Sequence, residues 1–276
     1  MRIYALAVYL FLYIPIAVIA IFSFNAGRYA AQLQGFSTQW YGKALSNSFV
    51  MEALQTSATV ALSSAILATL AGTMAALALQ GVTGRPRAIF DALLYIAVMV
   101  PGIVIGISTL IALVTLFDWV NPLLTALWPT GWSAPQLHLG RGSLIAAHGL
   151  FAMALVVIIV RARVAGMDRS LIEASADLGA TPWGTFRQVT LPQIFPAILA
   201  GFLLSFTFSF DDFIVAFFVA GSETTLPIYV FSSIRRGVTP EINAIGTMVL
   251  AVSLLILVVA QSILQRGQRK GGGRAA

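Results

Sequence analysis

Six stretches of this chain are long and apolar enough to cross a lipid bilayer, and this feature limits the fold more than any other. They lie at roughly 5–25, 53–80, 88–117, 142–164, 194–220 and 242–264. About 20 consecutive, predominantly apolar residues are needed for one helix to span the hydrocarbon core. The sequence therefore predicts an all-α membrane protein with about six transmembrane helices in a single domain, residues 1–276.

Composition supports this class and excludes others. Hydrophobic residues make up 59% of the chain and charged residues 9%, whereas a soluble domain carries about a quarter charged residues. There is no cysteine, so disulfides, thiolate catalysis and cysteine-ligated metals are excluded. The net charge of +6 is scattered among loops, which favours membrane lipid over nucleic acid as a partner. The first apolar stretch is too long for a signal peptide, so we expect a retained span.

The distribution of Lys and Arg predicts the orientation. If the six spans are placed as above, eleven basic residues fall on the side that holds both termini and five on the other side. Cytoplasmic loops carry the excess of Lys and Arg, so both termini are expected in the cytoplasm. The glycine-rich segment 266–276 is expected to be a disordered basic tail. In the third span, Pro101 and Gly102 are expected to kink or unwind the helix.

A polar segment between the fourth and fifth spans predicts two short helices on the cytoplasmic face. Ser170 and Glu173 match a capping box, which would open the first helix. Gly179 suits the left-handed conformation that ends it. Thr181 would cap a second helix, which is expected to end before Pro192.

This segment, 165–192, resembles the EAA loop of binding-protein-dependent ABC importer permeases, written E-A-A-x3-G-x9-I-x-L-P. Its two departures from that pattern are Ser for the third residue and Val for Ile. The matching residues are Glu173, Ala174, Ser175, Gly179, Val189, Leu191 and Pro192. Asp177, four residues after Glu173, adds to one acidic face, which suits docking on a protein better than lying on an anionic membrane.

The resemblance implies a type I ABC importer permease of MetI-like architecture in the bacterial inner membrane. It implies that the loop is a coupling hairpin for an ATPase in a separate chain. The expected partners are two ATPase subunits, a second homologous permease and an extracytoplasmic solute-binding protein. Neither lysine, Lys43 or Lys270, lies in the G-x-x-x-x-G-K-[ST] pattern of a nucleotide-binding loop. No cofactor is therefore expected on this chain, and ATP and Mg would be bound by the partner ATPase.

A narrower resemblance concerns the substrate. The stretches SFDDFIVAFFVAG and TLPIYVFSSIRRGVTPEINAIG are similar to the second permease subunit of spermidine/putrescine importers. This implies polyamine transport by alternating access. Related permeases for ferric iron, phosphonate or opine-type solutes share the fold and stay open as alternatives. An ion-coupled secondary transporter is more remote, because it has no use for an EAA hairpin.

Asp211 and Asp212 lie within the fifth apolar stretch. A carboxylate inside a membrane segment is costly and faces the bundle interior or a wet cavity. Because neighbours on a helix point about 100° apart, at most one of the two is expected to face a central pathway. We expect a substrate path for a cation at these aspartates with Phe210 and Phe213. The alternative, that the aspartates cap a helix break or join two helices, stays open.

Other polar residues are expected to be structural. Glu223 and Glu241 are expected to pair with Arg235 and Arg236 or to be solvated, although docking of the binding protein stays open for them. Asp91 is expected to pair with Arg87. His148 is expected to form an interhelical hydrogen bond. No catalytic residue and no metal ligand is predicted.

Overall fold

The computed structural model describes residues 2–28, 32–129 and 131–272, which are mainly helical. Extended pairing in this part of the chain is an isolated bridge between Asn25 and Phe36. A π-helical turn, Phe186–Thr190, lies between α8 and α9. The α-helices are α1 Arg2–Phe22, α2 Gln39–Ser46, α3 Ser48–Ala78, α4 Gly84–Met99, α5 Gly102–Leu127, α6 Arg141–Ala165, α7 Ser170–Asp177, α8 Pro182–Thr185, α9 Leu191–Asp211, α10 Ile214–Val219, α11 Leu226–Ile234 and α12 Pro240–Gly272.

Six helical segments in the described residues are long and apolar enough to cross a membrane, which confirms the predicted fold class. Their charge content is low throughout, and most large apolar side chains of α1 are exposed, as expected for a surface that faces lipid. The segments are Ile3–Phe22, Ser48–Ala78, Gly102–Leu127, Arg141–Ala165, Pro182–Asp211 and Pro240–Val258.

The predicted boundaries of the third span, 88–117, are wrong. The helix stops at Met99, and the span begins at Gly102. Val100 adopts an extended conformation with ψ 132°, because the ring of the following Pro101 disfavours the helical region for the residue before it. The expected irregularity at this proline is therefore a complete break rather than a kink, and the spanning helix runs ten residues further than predicted, to Leu127.

The fifth span also differs from the predicted 194–220. At its start, the second hairpin helix does not end before Pro192 but continues through the π-helical turn into α9. The Leu191 N–H donates to the Phe186 C=O, five residues back, so the wider turn carries the chain past a residue that has no N–H of its own. At its other end the helix stops at Asp211 and resumes at Ile214.

The chain divides into two compact units. The first comprises Met1–Leu54 and Leu226–Ala276, and the second Gln55–Thr225. In the first unit α1 and α2 pack against α12. Trp40 Nε1 donates to the Asn25 C=O at 2.8 Å, and Asn47 donates to Glu241 at 3.0 Å. These hydrogen bonds fix the segment between α1 and α3 within this unit.

Part of the segment 266–276, which was predicted to be a disordered tail, is helical. The backbone of α12 is helical as far as Gly272, and residues 273–276 lie outside the described residues. Most residues from 265 to 270 are Gln, Arg or Lys, which have high helix propensity and favour continuation of the helix.

The core of the second unit is built around α6. It packs against α9, α4 and α10, and its Val156, Val157 and Val160 are fully buried. On α3, Gly72 allows a close approach: a Cβ there would lie 2.8 Å from the Val156 Cβ and 3.0 Å from the Met153 C=O oxygen. Small residues at such crossings let helix backbones approach each other in a membrane.

We expect Gly72→Ala to destabilise the protein by about 1–3 kcal/mol, the usual cost of forcing an extra carbon into a packed core. The measurement is the thermal unfolding midpoint of the purified protein in detergent. The matched control is Gly142→Ala in α6, where no atom lies within 4 Å of the added carbon. Equal midpoints for the two variants would contradict a tight crossing of α3 and α6.

Candidate functional site

The break between α9 and α10 is held by Asp212. This residue is extended, with ψ 120°, and its Oδ2 accepts a hydrogen bond from the Ala216 N–H at 2.9 Å. The carboxylate thereby satisfies one of the N–H groups that the first turn of α10 leaves without a helical partner. Two alternatives were open for Asp211 and Asp212, a substrate path or a structural role at a helix break. Asp212 has the structural role, since it caps the start of α10.

A buried polar network connects this break to two other helices. His148 Nδ1 on α6 lies 2.7 Å from Ser209 Oγ on α9, and Ser209 Oγ lies 2.9 Å from Ser64 Oγ on α3. On its other side, His148 Nε2 is 3.4 Å from Asp212 Oδ2, and no directed hydrogen bond joins these two atoms. The interhelical hydrogen bond expected for His148 is present.

The network lies at one edge of a cavity of about 290 Å³. Asp212, His148 and Ser209 provide its polar groups, and the rest of its lining is apolar. The apolar residues come from the α4–α5 break and from α6, α9 and α10: Val98, Val100, Gly102, Ile105, Ala147, Phe151, Ala152, Phe208 and Val215. Among these lining residues, Asp212 carries the sole carboxylate, and there is no lysine or arginine.

The two aspartates have different surroundings. Asp212 is partly buried in the cavity wall, whereas Asp211 is exposed at the end of α9 and does not line the cavity. The predicted aromatic residues lie outside the lining as well: Phe210 stacks on Phe206, and Phe213 lies 5.5 Å from Phe217. The rings that do line the cavity belong to Phe151 and Phe208, whose centroids are 6.2 Å apart.

Sequence reasoning missed Ser64, Ser209 and Phe151 as neighbours of the aspartates. Ser209 had a local signal, because residues three apart on a helix share a face and it precedes Asp212 by three. Ser64 and Phe151 had none, since they are far away in the sequence and only the packing of α3, α6 and α9 brings them to this place.

The second candidate site is the hairpin formed by α7 and α8. Gly179 has φ +78°, and the Ala180 N–H bonds to the Ser175 C=O while the Gly179 N–H bonds to the Ala176 C=O. This pair of hydrogen bonds is a Schellman motif and confirms the predicted end of the first helix. Thr181 Oγ1 accepts a hydrogen bond from the Gly184 N–H at 3.2 Å, which confirms the predicted cap of the second helix.

The predicted capping box at Ser170 and Glu173 is wrong. The start of α7 is instead closed by Asp168, whose Oδ1 accepts from the Ser170 N–H at 2.9 Å. Hydrogen bonds from the Ser170 side chain and backbone hold the pKa of Asp168 below its ordinary value. A carboxylate two residues upstream therefore takes the place that the sequence pattern gave to Ser170.

The remaining hairpin residues are divided between an internal contact and an outer surface. Ser175 lies 3.0 Å from Thr185 between their hydroxyl oxygens, across the two helices. Glu173, Ala174 and Asp177 are exposed on α7, and exposed apolar side chains stand beside them, with Leu178 89% and Trp183 69% exposed. At the start of α9, Leu191 is partly buried and Pro192 is exposed.

Glu223 and Glu241 pair with residues other than the predicted arginines. Glu223 pairs with Arg141 at 2.9 Å, and Glu241 accepts from Asn47, so neither relies on Arg235 or Arg236. The predicted ion pair of Asp91 with Arg87 is present at 3.8 Å, and Asp91 also accepts a hydrogen bond from Arg161 on α6. The described residues contain no group of three or more His, Asp or Glu side chains that suits a metal ion.

Comparison with known proteins is consistent across sequence and fold. The family described as "Binding-protein-dependent transport system inner membrane component" matches residues 68–270. The chain is 36% identical to the spermidine/putrescine transport system permease protein PotC of Escherichia coli strain K12, over 96% of this chain and 93% of that protein. It is 37% identical to the putrescine transport system permease protein PotI of the same strain, over 94% of this chain and 89% of that protein.

Solved structures with the same fold have lower identity. A bacterial ABC transporter involved in the import of the acidic polysaccharide alginate gives a TM-score of 0.71 at 16% identity, covering 96% of this chain and 95% of that chain. The MetNI methionine ABC transporter in an inward-facing conformation gives a TM-score of 0.57 at 17% identity, with 79% of this chain and 95% of that chain covered.

We expect Ser209→Ala to destabilise the protein by about 1–3 kcal/mol, because it leaves the buried His148 Nδ1 without its hydrogen-bond partner. The thermal unfolding midpoint in detergent measures this. Thr207→Ala is the control: its exposed hydroxyl bonds to the Leu203 C=O of the same helix, so its loss is expected to change little. Equal midpoints would show that the network does not contribute to stability.

Proposed function

The chain belongs to the family of binding-protein-dependent transport system inner membrane components, and we propose that it transports polyamines, namely spermidine and putrescine, by alternating access. It is a multi-pass protein of the bacterial inner membrane and the permease subunit of an ABC importer. The observation that carries the proposal is the cavity with Asp212 as its sole carboxylate. The names of the two Escherichia coli relatives support the substrate class.

The cavity suits one end of a polyamine. A polyamine is a row of protonated amines separated by methylene chains, so it needs a carboxylate next to apolar and aromatic surface. Asp212 supplies the charge for a terminal ammonium group, and Phe151 and Phe208 supply ring faces for the methylenes and for cation–π attraction. The cost of a partly buried carboxylate is offset when such a cation binds.

The same lining argues against the alternative solutes. Phosphonates and opines carry negative charge, and the residues that line the cavity include no lysine or arginine to bind it. Ferric iron is a hard cation that takes several oxygen ligands, whereas this cavity offers a single carboxylate. A cation with an apolar body is the solute class that these side chains fit best.

We assign the hairpin of α7 and α8 to the ATPase interface, the role implied by its EAA pattern. Its exposed face combines the carboxylates of Glu173 and Asp177 with the apolar side chains of Leu178 and Trp183. Apolar anchors surrounded by charged groups are typical of protein interfaces. Since the π-helical turn joins α8 to α9 without a break, we expect a displacement of the hairpin to be transmitted to α9.

This continuity links the two sites mechanically. The 21 residues of α9 correspond to about 30 Å of helix, so the hairpin lies at one end and Asp212 follows directly on the other. In the proposed complex, two ATPase subunits bind ATP and Mg, and a second permease and an extracytoplasmic binding protein complete the importer. ATP-driven closure of the ATPases would move the hairpins together and shift the permease between its two open states.

The substrate assignment is tested by ATP-dependent uptake of labelled spermidine and putrescine into proteoliposomes that contain the complete importer. Asp212→Asn is expected to lower uptake at least tenfold, because it removes the charge while an amide oxygen still accepts from the Ala216 N–H. Asp211→Asn is the control and is expected to keep most of the uptake, since Asp211 lies outside the cavity.

Equal uptake by wild type and Asp212→Asn would show that this carboxylate caps the helix and does not bind the substrate. If the wild-type importer carries neither polyamine, the substrate proposal fails while the family assignment stands.

The hairpin assignment is tested by changes at Gly179. Proline cannot adopt φ +78°, so Gly179→Pro is expected to abolish both copurification of the ATPase and ATP-driven uptake. Gly179→Ala is expected to have an intermediate effect, because a left-handed conformation costs an L-residue about 1–2 kcal/mol. Gly81→Ala is the control: Gly81 has no positive φ and open space around it. Normal ATPase association in Gly179→Pro would contradict the assignment.

A further inference from the structure

A second cavity, of about 370 Å³, lies where α7 and the π-helical turn meet the ends of α3, α4 and α6. Three arginines from three different elements line it: Arg87 on α4, Arg161 on α6 and Arg169 at the start of α7. The function proposed above makes no use of this cavity. It is distinct from the cavity at Asp212, with which it shares no lining residue.

The charge of this cavity is only partly balanced. Asp91 accepts a hydrogen bond from Arg161 and lies 3.8 Å from Arg87, so one carboxylate stands against two guanidinium groups. Arg169 adds a third positive charge, and no acidic side chain is among the residues that line this cavity. Three arginines around one space form a site for an anion, and planar guanidinium groups match the oxygens of a phosphate.

Apart from Gln80 and Thr190, the remaining lining is apolar, which distinguishes among phosphate ligands. Beside the arginines the cavity is lined by Leu77, Leu79, Val164, Ile172 and Phe186. A free phosphate ion gains nothing from such surface, whereas the glycerol and first methylenes of a phospholipid do. The lining thus favours an amphiphilic anion.

The position of the cavity matches the level of lipid headgroups. Its lining residues lie on both sides of the ends of two spanning helices, α3 at Ala78 and α6 at Ala165. The distribution of Lys and Arg predicts that this end faces the cytoplasm, where anionic lipids attract basic residues close to the membrane. An anionic phospholipid of the inner leaflet can therefore reach the cavity without leaving the bilayer.

We propose that this cavity binds the phosphate group of an anionic phospholipid between Arg87, Arg161 and Arg169. Because Arg169 belongs to the hairpin and the other two arginines to the membrane helices, the bound headgroup ties the hairpin to the membrane domain. The lipid would then act as a structural ligand of the coupling region.

The test is native mass spectrometry of the full-length chain in mild detergent, titrated with dioleoylphosphatidylglycerol or with zwitterionic dioleoylphosphatidylcholine. We expect preferential binding of the phosphatidylglycerol. Arg169→Gln is expected to weaken it about fivefold, the factor that one basic residue near an anionic surface contributes. Arg85→Gln is the control, since Arg85 is exposed on the same helix as Arg87 and does not line the cavity. Arg169 is chosen because Arg161→Gln would also leave Asp91 without its main partner.

Three outcomes would overturn the proposal. The first is equal binding of both lipids, or equal affinity of wild type and Arg169→Gln for phosphatidylglycerol. The second is displacement of the lipid by millimolar inorganic phosphate, which would make the cavity a site for a free anion. The third is loss of the lipid when the ATPase subunit is added, which would make the arginines a docking site for an acidic segment of that protein. Retention of the lipid in the assembled complex would support the proposal.

Discussion

The hydrogen bond from the Ala216 N–H to Asp212 makes the rest of this site possible. A helix inside a bilayer cannot end unless its free N–H and C=O groups find partners within the protein. Here a side chain takes the place of the missing backbone acceptor, so α9 can stop and α10 can restart in an apolar environment. The carboxylate that closes the break is at the same time the charge that the cavity presents, and a single residue thus serves both stability and the proposed recognition of a cation.

The parts of the structure that depend on composition or on local signals were predictable. The six apolar helices follow from the length of the hydrophobic stretches, and the end of α7 follows from Gly179, because few other residues tolerate φ +78°. The predicted capping box failed because Asp168 and Ser170 are both good caps within three residues. The sequence does not indicate which of the two side chains accepts a hydrogen bond from the free N–H groups of α7.

The parts that depend on packing could not be predicted. Ser64 and Ser209 are 145 positions apart in the sequence, and no periodicity of α3 or α9 indicates that their hydroxyl groups meet at His148. Pro101 shows the intermediate case: proline indicated an irregular helix, but whether the spanning helix lies before or after it depends on the tertiary contacts of α5 with α10. Phe151 and Phe208 likewise become neighbours only through the packing of α6 on α9.

The uninterrupted course of α6 has a mechanical consequence. Its 25 residues contain no proline, and they carry His148 near one end and Arg161 near the other, about 20 Å apart at 1.5 Å per residue. If a straight helix of about 37 Å tilts by about 5° around one end, its other end moves by about 3 Å. The same tilt about the arginine end of α6 would displace His148, about 20 Å away, by about 2 Å, which is enough to break its hydrogen bond with Ser209.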